Sequence, residues 1–287
     1  MSLFSHRKGI RPLQKAVQRE AIDGELRNRL WSALELAVWR RWTGPASYGY
    51  QEPDPAAIDL LMDLIWLSLF KKPLDTVPSH HEERYAVVRE YFFRAEWWQV
   101  YDFIEFVMKQ IAEPWQQSLR EFVNGFLKDE NADYRMVDTE ITPITDEHES
   151  AAVQSALGAA TTSAQQHLRR ALQLLSDRKQ PDYRNSIKES ISAVEAICQA
   201  LSGKSKATLP DCLKVLKANA PMHPAFEQAL LKQYGYTSDE GGIRHALTDE
   251  SVSPSYADAK FMLVSSSAFV NYVLTKAAEL KIKISKG

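Results

Sequence analysis

The sequence predicts an all-α protein made of two helical bundles, with a small β element where the two halves meet. Apolar residues recur every three or four positions through most of the 287 residues, which is the spacing of amphipathic helices. Only the stretch YRMVDTEITPIT, residues 134–145, alternates in the way that a strand requires. Because the chain is longer than one ordinary domain, we expect two domains, 1–145 and 146–287.

Five helices are expected in the first half. Asp23 is a suitable N-cap for the first of them, and Gly44 with Pro45 should end it, since neither residue continues a helix well. All seven tryptophans precede residue 120, and such rings usually fill a core. The ranges that periodicity and caps predict for these helices are 23–42, 55–70, 81–97, 98–111 and 114–128.

Six further helices are expected in the second half, the first of them capped by Thr145 or Asp146. Their predicted ranges are 146–157, 162–176, 182–201, 209–219, 224–234 and 255–279. In the last helix, spacing by three and four residues predicts one apolar stripe, made of Phe261, Val264, Ala268, Tyr272 and Thr275.

Composition predicts a soluble cytoplasmic protein. Hydrophobic residues make up 45% of the chain, charged residues 25%, and the formal net charge is −2, so any nucleic-acid binding requires a local basic surface. Cys198 and Cys212 are too few for a disulfide framework. The longest apolar stretch, 56–70, contains Asp59 and Asp63 and is shorter than the ~20 residues of a membrane helix, so no membrane association is expected.

The sequence lacks the common signatures of nucleotide and metal chemistry. It has no GxxxxGK[ST] phosphate loop, no GxGxxG after a strand, no HExxH and no GxSxG. The seven histidines show no i, i+4 pairing. We therefore expect neither a cofactor nor a metal site.

The stretch GGIRHALTDE, residues 241–250, is the strongest candidate for chemistry. Arg244 can bind a phosphate through its guanidinium fork, and the adjacent His245 titrates near neutrality and can carry a proton. Cleavage of an RNA phosphodiester needs these two functions. Asp249 and Glu250 close the stretch. An Arg-His pair is common, however, and a helix cap with polar neighbours is the simpler interpretation.

Two polar residues fall on helix faces that should be apolar. Glu195 lies beside Val194 and one turn from Ile191. Asn271 lies among the apolar residues of the last helix. A buried carboxylate needs a partner, which Arg244 or His245 could provide. A structural salt bridge and an amide that caps a loop carbonyl are equally good explanations.

Several phrases of the sequence resemble known families. In the first half, SLFSHRKGIRPLQ, DGELRNRLWSAL and YRMVDTEITPIT resemble the fourth AbiJ-type N-terminal domain of bacterial abortive-infection proteins. In the second half, YRNSIKESISAVEAI, YGYTSDEGGIRHAL and AKFMLVSSSAFVNYV are similar to HEPN domains. The resemblance implies an all-helical fold, usually a homodimer, and in many members a metal-independent endoribonuclease that is used against phage or as a toxin.

The active HEPN motif is an arginine, a polar residue and, after three to five further residues, a histidine. Arg244 matches the arginine and His245 the polar position, but Asp249 and Glu250 stand where the final histidine is expected. The resemblance therefore implies that His245 must replace the missing histidine if the domain is active.

Three functions remain open at this point. The first is a ribonuclease that acts on RNA as a homodimer, with Arg244 and His245 reacting and Glu195 and Asn271 orienting them. The second is a non-catalytic module that binds RNA, a nucleotide or a protein, such as a phage-derived trigger. The third is a structural adaptor in which Arg244 pairs with Glu195.

Overall fold

The computed structural model describes residues 4, 8, 15–40, 55–177, 181–238 and 253–285. The chain divides into two compact units, Met1–Pro143 and Ile144–Gly287, which we call the N-terminal and C-terminal units. Within the described residues both units are helical, and the only sheet has two short strands. The predicted all-α class with a small β element is confirmed.

Five α-helices and one hairpin form the described part of the N-terminal unit. The first two helices each continue into a π-helical turn, Glu35–Trp39 after the first and Ile65–Leu69 after the second. The elements are α1 Gly24–Leu34, α2 Pro55–Leu64, α3 His81–Arg94, α4 Trp97–Gln110, α5 Trp115–Asp129, β1 Arg135–Val137 and β2 Glu140–Thr142. A short 3-10 turn, Leu74–Thr76, lies between α2 and α3.

Side-chain caps determine where these helices begin. The Asp23 carboxylate accepts a hydrogen bond from the backbone N–H of Leu26 at 2.7 Å, which confirms the predicted cap of α1. The boundary between α3 and α4 lies earlier than the predicted 97/98. Glu96 is the N-cap of α4, and its backbone N–H donates to the Gln99 side chain in a capping box, so α3 ends at Arg94.

The stretch predicted as one strand segment is a hairpin. β1 and β2 pair antiparallel, with Met136 opposite Ile141. Asp138 turns the chain with a φ of 54°, a left-handed conformation that Asp tolerates better than most residues. The alternation changes phase between Met136 and Val137, just before this turn, and the sequence prediction joined the two runs into one strand segment.

The core of the N-terminal unit is built around aromatic rings. The Trp31 ring lies 5.1 Å from that of Phe92 and 5.7 Å from that of Tyr85, and Phe92 lies 5.6 Å from Phe103. Trp31 is a core residue, as expected for the tryptophans, whereas Trp98 is 49% exposed. The rings link α1, α3 and α4.

Six α-helices form the described part of the C-terminal unit, and α8 is the central one because α7, α9 and α11 all pack on it. Asp146 caps the first helix by accepting hydrogen bonds from His148 and Glu149. The helices are α6 Glu147–Ala159, α7 Thr162–Ser176, α8 Tyr183–Ser202, α9 Leu209–Asn219, α10 Pro224–Ser238 and α11 Tyr256–Glu279. Within the described ranges, none of the helices combines the length and the apolar character needed to cross a membrane.

The apolar stripe predicted for α11 is not its buried face. Phe261 is 62% exposed, and Ala268 and Thr275 are also exposed. The buried face consists of Ala259, Met262, Leu263, Ser266, Ser267, Phe269, Val270, Val273 and Ala277. Two serines interrupt the apolar pattern of that face, so spacing alone favoured the wrong side of the helix.

Candidate functional site

The predicted site residues divide into two groups. Arg244, His245, Asp249 and Glu250 lie outside the residues that the structure describes. Glu195 and Asn271 lie within them, on α8 and α11. The sequence that carries Arg244 and His245 connects the end of α10 to the start of α11, and Glu195 lies on α8.

The Glu195 carboxylate is held by a tyrosine. Tyr234, in the last turns of α10, donates its phenolic hydrogen to Glu195 Oε1 at 2.6 Å. Hydrogen bonds to a charged acceptor are short and strong, so this one fixes the orientation of the carboxylate. Glu195 is half-buried. The prediction that it points toward the interior is correct only in part, because its side chain meets a polar partner at the edge of the helix packing.

A small cavity lies beside this pair. Its volume is about 20 Å³, and its walls come from α8, α9, α10 and α11. Ser266 Oγ is buried there without a hydrogen-bond partner among the described residues, while the Gln233 amide donates to Ser265 Oγ. The volume matches a single water molecule, so a nucleotide or any larger substrate must bind outside the cavity.

Asn271 has a different neighbour. Its side-chain amide donates to the backbone oxygen of Ala152, within α6, at 2.9 Å. This bond joins α11 to α6, as does the ion pair of Lys260 with Glu149 at 2.8 Å. Asn271 thus ties two helices together rather than capping a loop carbonyl. The described partners of Glu195 and Asn271 lie on different helices.

Sequence reasoning missed one acid–base pair of the C-terminal unit. His167 Nδ1 on α7 lies 2.7 Å from Glu189 Oε2 on α8, and the two side chains are 37% and 26% exposed. An imidazole oriented by a carboxylate can exchange protons with a bound molecule. The hydrogen bond from Ser186 Oγ to the Ala171 oxygen fixes the antiparallel register of α7 and α8. An antiparallel hairpin of α7 and α8 in this register places residue 167 beside residue 189, so a prediction of the register from the sequence could have found the pair.

The C-terminal unit also carries a local basic surface. The chain beyond α11 returns to the end of α8, where the Ser285 backbone N–H donates to the Ala200 oxygen at 3.1 Å. This contact brings two lysine-bearing segments to one end of the unit, 204–206 and 281–283. Lys206, Lys281 and Lys283 are exposed there. We call these three residues the basic end.

One acidic cluster in the N-terminal unit has the ligands that a metal ion could use. Carboxylate oxygens of Asp23, Glu25 and Glu130 lie within 4.8 Å of one another. The Lys15 ammonium contacts all three. Burial lowers the pKa of Lys15, but hydrogen bonds to Glu130, Glu25 and Asp23 outweigh it and raise that pKa overall. The cluster is therefore a salt-bridge network centred on a permanently charged lysine.

A comparison with protein-family models matches residues 2–159 to AbiJ N-terminal domain 4. The matched range extends past the hairpin and includes α6. No curated protein and no solved structure matches the chain. The match confirms the resemblance of the first half and covers more than half of the 287 residues, so the chain belongs to the AbiJ N-terminal domain 4 family, a family of abortive-infection proteins.

Proposed function

We propose that the protein is an abortive-infection effector whose C-terminal unit, a HEPN-like domain, cleaves RNA without a metal ion. The observation that carries the proposal is the Glu195 carboxylate fixed by Tyr234 at 2.6 Å in the last turns of α10. Only five residues lie between the end of α10, at Ser238, and Arg244. The oriented carboxylate is thus held by the helix after which the Arg244–His245 pair follows in the sequence.

The proposed reaction uses the ribose of the substrate as the nucleophile. His245 removes the proton of a 2′-hydroxyl group, and the oxygen attacks the adjacent phosphorus while Arg244 stabilises the phosphate charge. The bond from phosphorus to the 5′-oxygen breaks, and that oxygen takes a proton from water. The products are a 2′,3′-cyclic phosphate and a 5′-hydroxyl, and Glu195 and Asn271 act as positioning residues.

The basic end supports RNA as the substrate class. Its lysines are exposed, and the C-terminal unit holds 17 basic and 15 acidic residues, whereas the N-terminal unit holds 18 and 22. Attraction of an RNA backbone to such a surface is electrostatic and weakens with added salt. RNA affinity should therefore fall steeply with ionic strength. A triple variant in which Gln replaces Lys206, Lys281 and Lys283 should show a weaker dependence of RNA affinity on salt.

A second apolar face on α11 supports a homodimer. Phe261 is 62% exposed and Ala268 is exposed, although both lie on a helix whose opposite face is buried. Contiguous exposed apolar surface commonly marks an interface, and Phe261 and Ala268 lie two turns apart on the same face. Phe261→Glu should shift the protein toward monomers in sedimentation velocity. Leu60→Glu, at a leucine of α2 that is 59% exposed, is the matched control and should leave the oligomeric state unchanged.

Cleavage of total RNA in EDTA tests the reaction. We expect the wild-type protein to produce fragments that end in 2′,3′-cyclic phosphate, and Arg244→Ala with His245→Ala to reduce the rate by about 100-fold or more. Arg170→Ala with His148→Ala removes an exposed arginine and an exposed histidine of the same unit and should retain full activity. Undiminished cleavage by the folded Arg244/His245 variant would refute the assignment of these residues.

A non-catalytic role is the second candidate, and the sequence of the motif favours it. Asp249 and Glu250 stand where the resemblance leads one to expect the final histidine. On this alternative the C-terminal unit binds RNA, a nucleotide or a protein such as a phage-derived trigger. This alternative is supported if the protein binds RNA in a salt-sensitive way without producing fragments and if the Arg244/His245 variant binds RNA with the same affinity.

A further inference from the structure

The N-terminal unit contains a pocket large enough for a small molecule. It opens between the end of the π-helical turn that follows α2, the second half of α3 and the first turn of α4, and its volume is about 520 Å³. We call it the α2–α4 pocket. Pockets that bind small ligands and cofactors usually enclose roughly 300–1,000 Å³. The side chains that define its chemistry are those of Phe70, Lys72, Glu90, Tyr91, Arg94 and Gln99.

Two aromatic rings form one wall of this pocket. The Phe70 and Tyr91 rings lie 4.8 Å apart at an interplanar angle of 54°. Tyr91 also lies 6.2 Å from the fully buried Phe103, and Phe70 lies 5.3 Å from Trp66, so both rings are anchored in the core. Burial and the nearby Asp102 carboxylate raise the pKa of Tyr91, which keeps its hydroxyl protonated. The wall therefore offers a rigid apolar surface with one hydroxyl donor.

Two cations lie at the rim of the same pocket. The Lys72 ammonium lies 5.9 Å from the centre of the Phe70 ring and forms no ion pair with a carboxylate in the described part of the chain. Arg94 pairs only with Glu90 among the described residues, at 2.9 Å, and the two side chains are 81% and 56% exposed. A surface ion pair of this kind contributes little to stability, so a bound anion can displace the Glu90 carboxylate from the Arg94 guanidinium.

We propose that the α2–α4 pocket binds a mononucleotide. The base lies against the Phe70 and Tyr91 rings, because aromatic side chains provide stacking surfaces for any base. The phosphate lies between Lys72 and Arg94, which supply charge-assisted hydrogen bonds. The Gln99 side chain offers an amide near the base. The proposal concerns the N-terminal unit alone and does not depend on the ribonuclease activity.

The other ligand chemistries for this pocket use only part of it. An uncharged aromatic molecule would leave the two cations unused, and inorganic phosphate would leave the ring wall uncovered. Adenosine and inorganic phosphate therefore serve as half-ligands. Binding of a nucleoside 5′-monophosphate should exceed that of either half-ligand by about tenfold or more, since both sets of contacts are formed at once.

Isothermal titration calorimetry of the full chain with AMP, GMP, CMP and UMP tests the proposal. We expect at least one nucleotide to bind saturably at concentrations up to about 1 mM. Lys72→Gln and Arg94→Gln should each weaken it by about tenfold, and Tyr91→Leu should weaken it while leaving the fold intact. Glu90→Gln should strengthen it a few-fold, because the carboxylate that competes with the phosphate for Arg94 is removed.

Matched controls separate this pocket from other sites. Lys71→Gln removes the neighbouring charge, which does not line the pocket, and should leave nucleotide affinity unchanged. The Arg244/His245 variant should also bind as the wild type does. The proposal is overturned if no nucleoside monophosphate binds, if adenosine or inorganic phosphate alone binds equally well, or if Lys72→Gln, Arg94→Gln and Tyr91→Leu leave the affinity unchanged.

Discussion

The two units of the protein are both helical, but they offer different surfaces to other molecules. The N-terminal unit has a core of aromatic rings and a pocket of about 520 Å³ lined by rings and cations. The C-terminal unit contains none of the seven tryptophans, and its cavity beside Glu195 measures about 20 Å³. The two described sites thus differ in scale, because the first can hold a small molecule and the second a single water molecule.

The family match and the compact N-terminal unit end at different residues. The family match ends at residue 159, after α6, whereas the compact N-terminal unit ends at Pro143. By its contacts α6 belongs to the C-terminal unit, where Ala152 accepts the hydrogen bond of Asn271. In this chain, the region that matches the family model therefore includes a helix that packs in the C-terminal unit.

The largest expected effect is the loss of a core ring. Phe92→Ala should lower the free energy of unfolding of the N-terminal unit by about 3–5 kcal/mol, since the side chain is fully buried against Trp31 and Phe103. Ile197→Ala in α8, also fully buried, should cost about 2–5 kcal/mol in the C-terminal unit. Urea unfolding monitored by tryptophan fluorescence and by circular dichroism measures both.

Tryptophan fluorescence reports on the N-terminal unit alone, because all seven tryptophans lie before residue 120. If the units unfold separately, Ile197→Ala should shift the dichroism transition and leave the fluorescence midpoint in place. Equal shifts of both signals in both variants would show that the two units unfold as one cooperative structure.

The next effect depends on pH. Burial and the neighbouring Glu140 carboxylate raise the pKa of Glu105 to about 7, although the Ile141 N–H and Lys109 oppose the shift and Asp102 adds to it. Because the folded pKa exceeds the ordinary value of 4.5, the stability that the protonated group provides is complete below pH 4.5 and is lost as the pH rises through 7. Glu105→Gln should then stabilise the protein by about 2–3 kcal/mol near pH 8.

Thermal unfolding at several pH values measures this difference. The variant and the wild type should have the same melting temperature at about pH 4 and should diverge toward pH 8. Glu121→Gln, at an exposed residue of α5, provides the control and should follow the wild type throughout. A constant difference between Glu105→Gln and wild type at every pH would contradict the assignment.

A somewhat smaller effect is expected in the salt-bridge network. Glu130 is 4% exposed and is held by Lys15 and by Arg29, whose Nε lies 2.9 Å away. Lys15→Met removes one of its two cations and should cost about 2 kcal/mol, less than complete isolation of a buried charge. Arg19→Met breaks the exposed pair with Asp133 and should cost under about 1 kcal/mol. If Lys15→Met and Arg19→Met lower the free energy of unfolding by the same amount in chemical denaturation, the burial of Glu130 does not strengthen its ion pair.

The smallest expected effect concerns the carboxylate of the candidate site. Tyr234→Phe removes the hydrogen bond to Glu195 and should lower stability by about 1 kcal/mol. If Glu195 orients the reacting groups, the same variant should also shift the pH profile of RNA cleavage. Tyr272→Phe, whose ring packs against Phe226, should leave the profile unchanged. A stability loss with an unaltered pH profile would assign Tyr234 a structural role only.

Local signals predicted most of the helices but not all of their faces. Asp23, Asp146 and Asp182 mark helix starts, because a short polar side chain satisfies backbone N–H groups within its own turn. The buried side of α11 was predicted wrongly, since Phe261 and Ala268 are as apolar as the residues that face α8. Which face is buried depends on the neighbouring helix, and that information is not local.

The sequence by itself determined the helical class, the caps at Asp23 and Asp146, the strand-forming stretch and the Arg244–His245 motif, because each depends on residues a few positions apart. Tertiary structure decided that Tyr234 holds Glu195, that His167 meets Glu189, and that Lys72 and Arg94 border one aromatic pocket. These contacts join residues 22 or more positions apart. Their formation depends on how helices pack against one another, which hydrophobic periodicity constrains but does not specify.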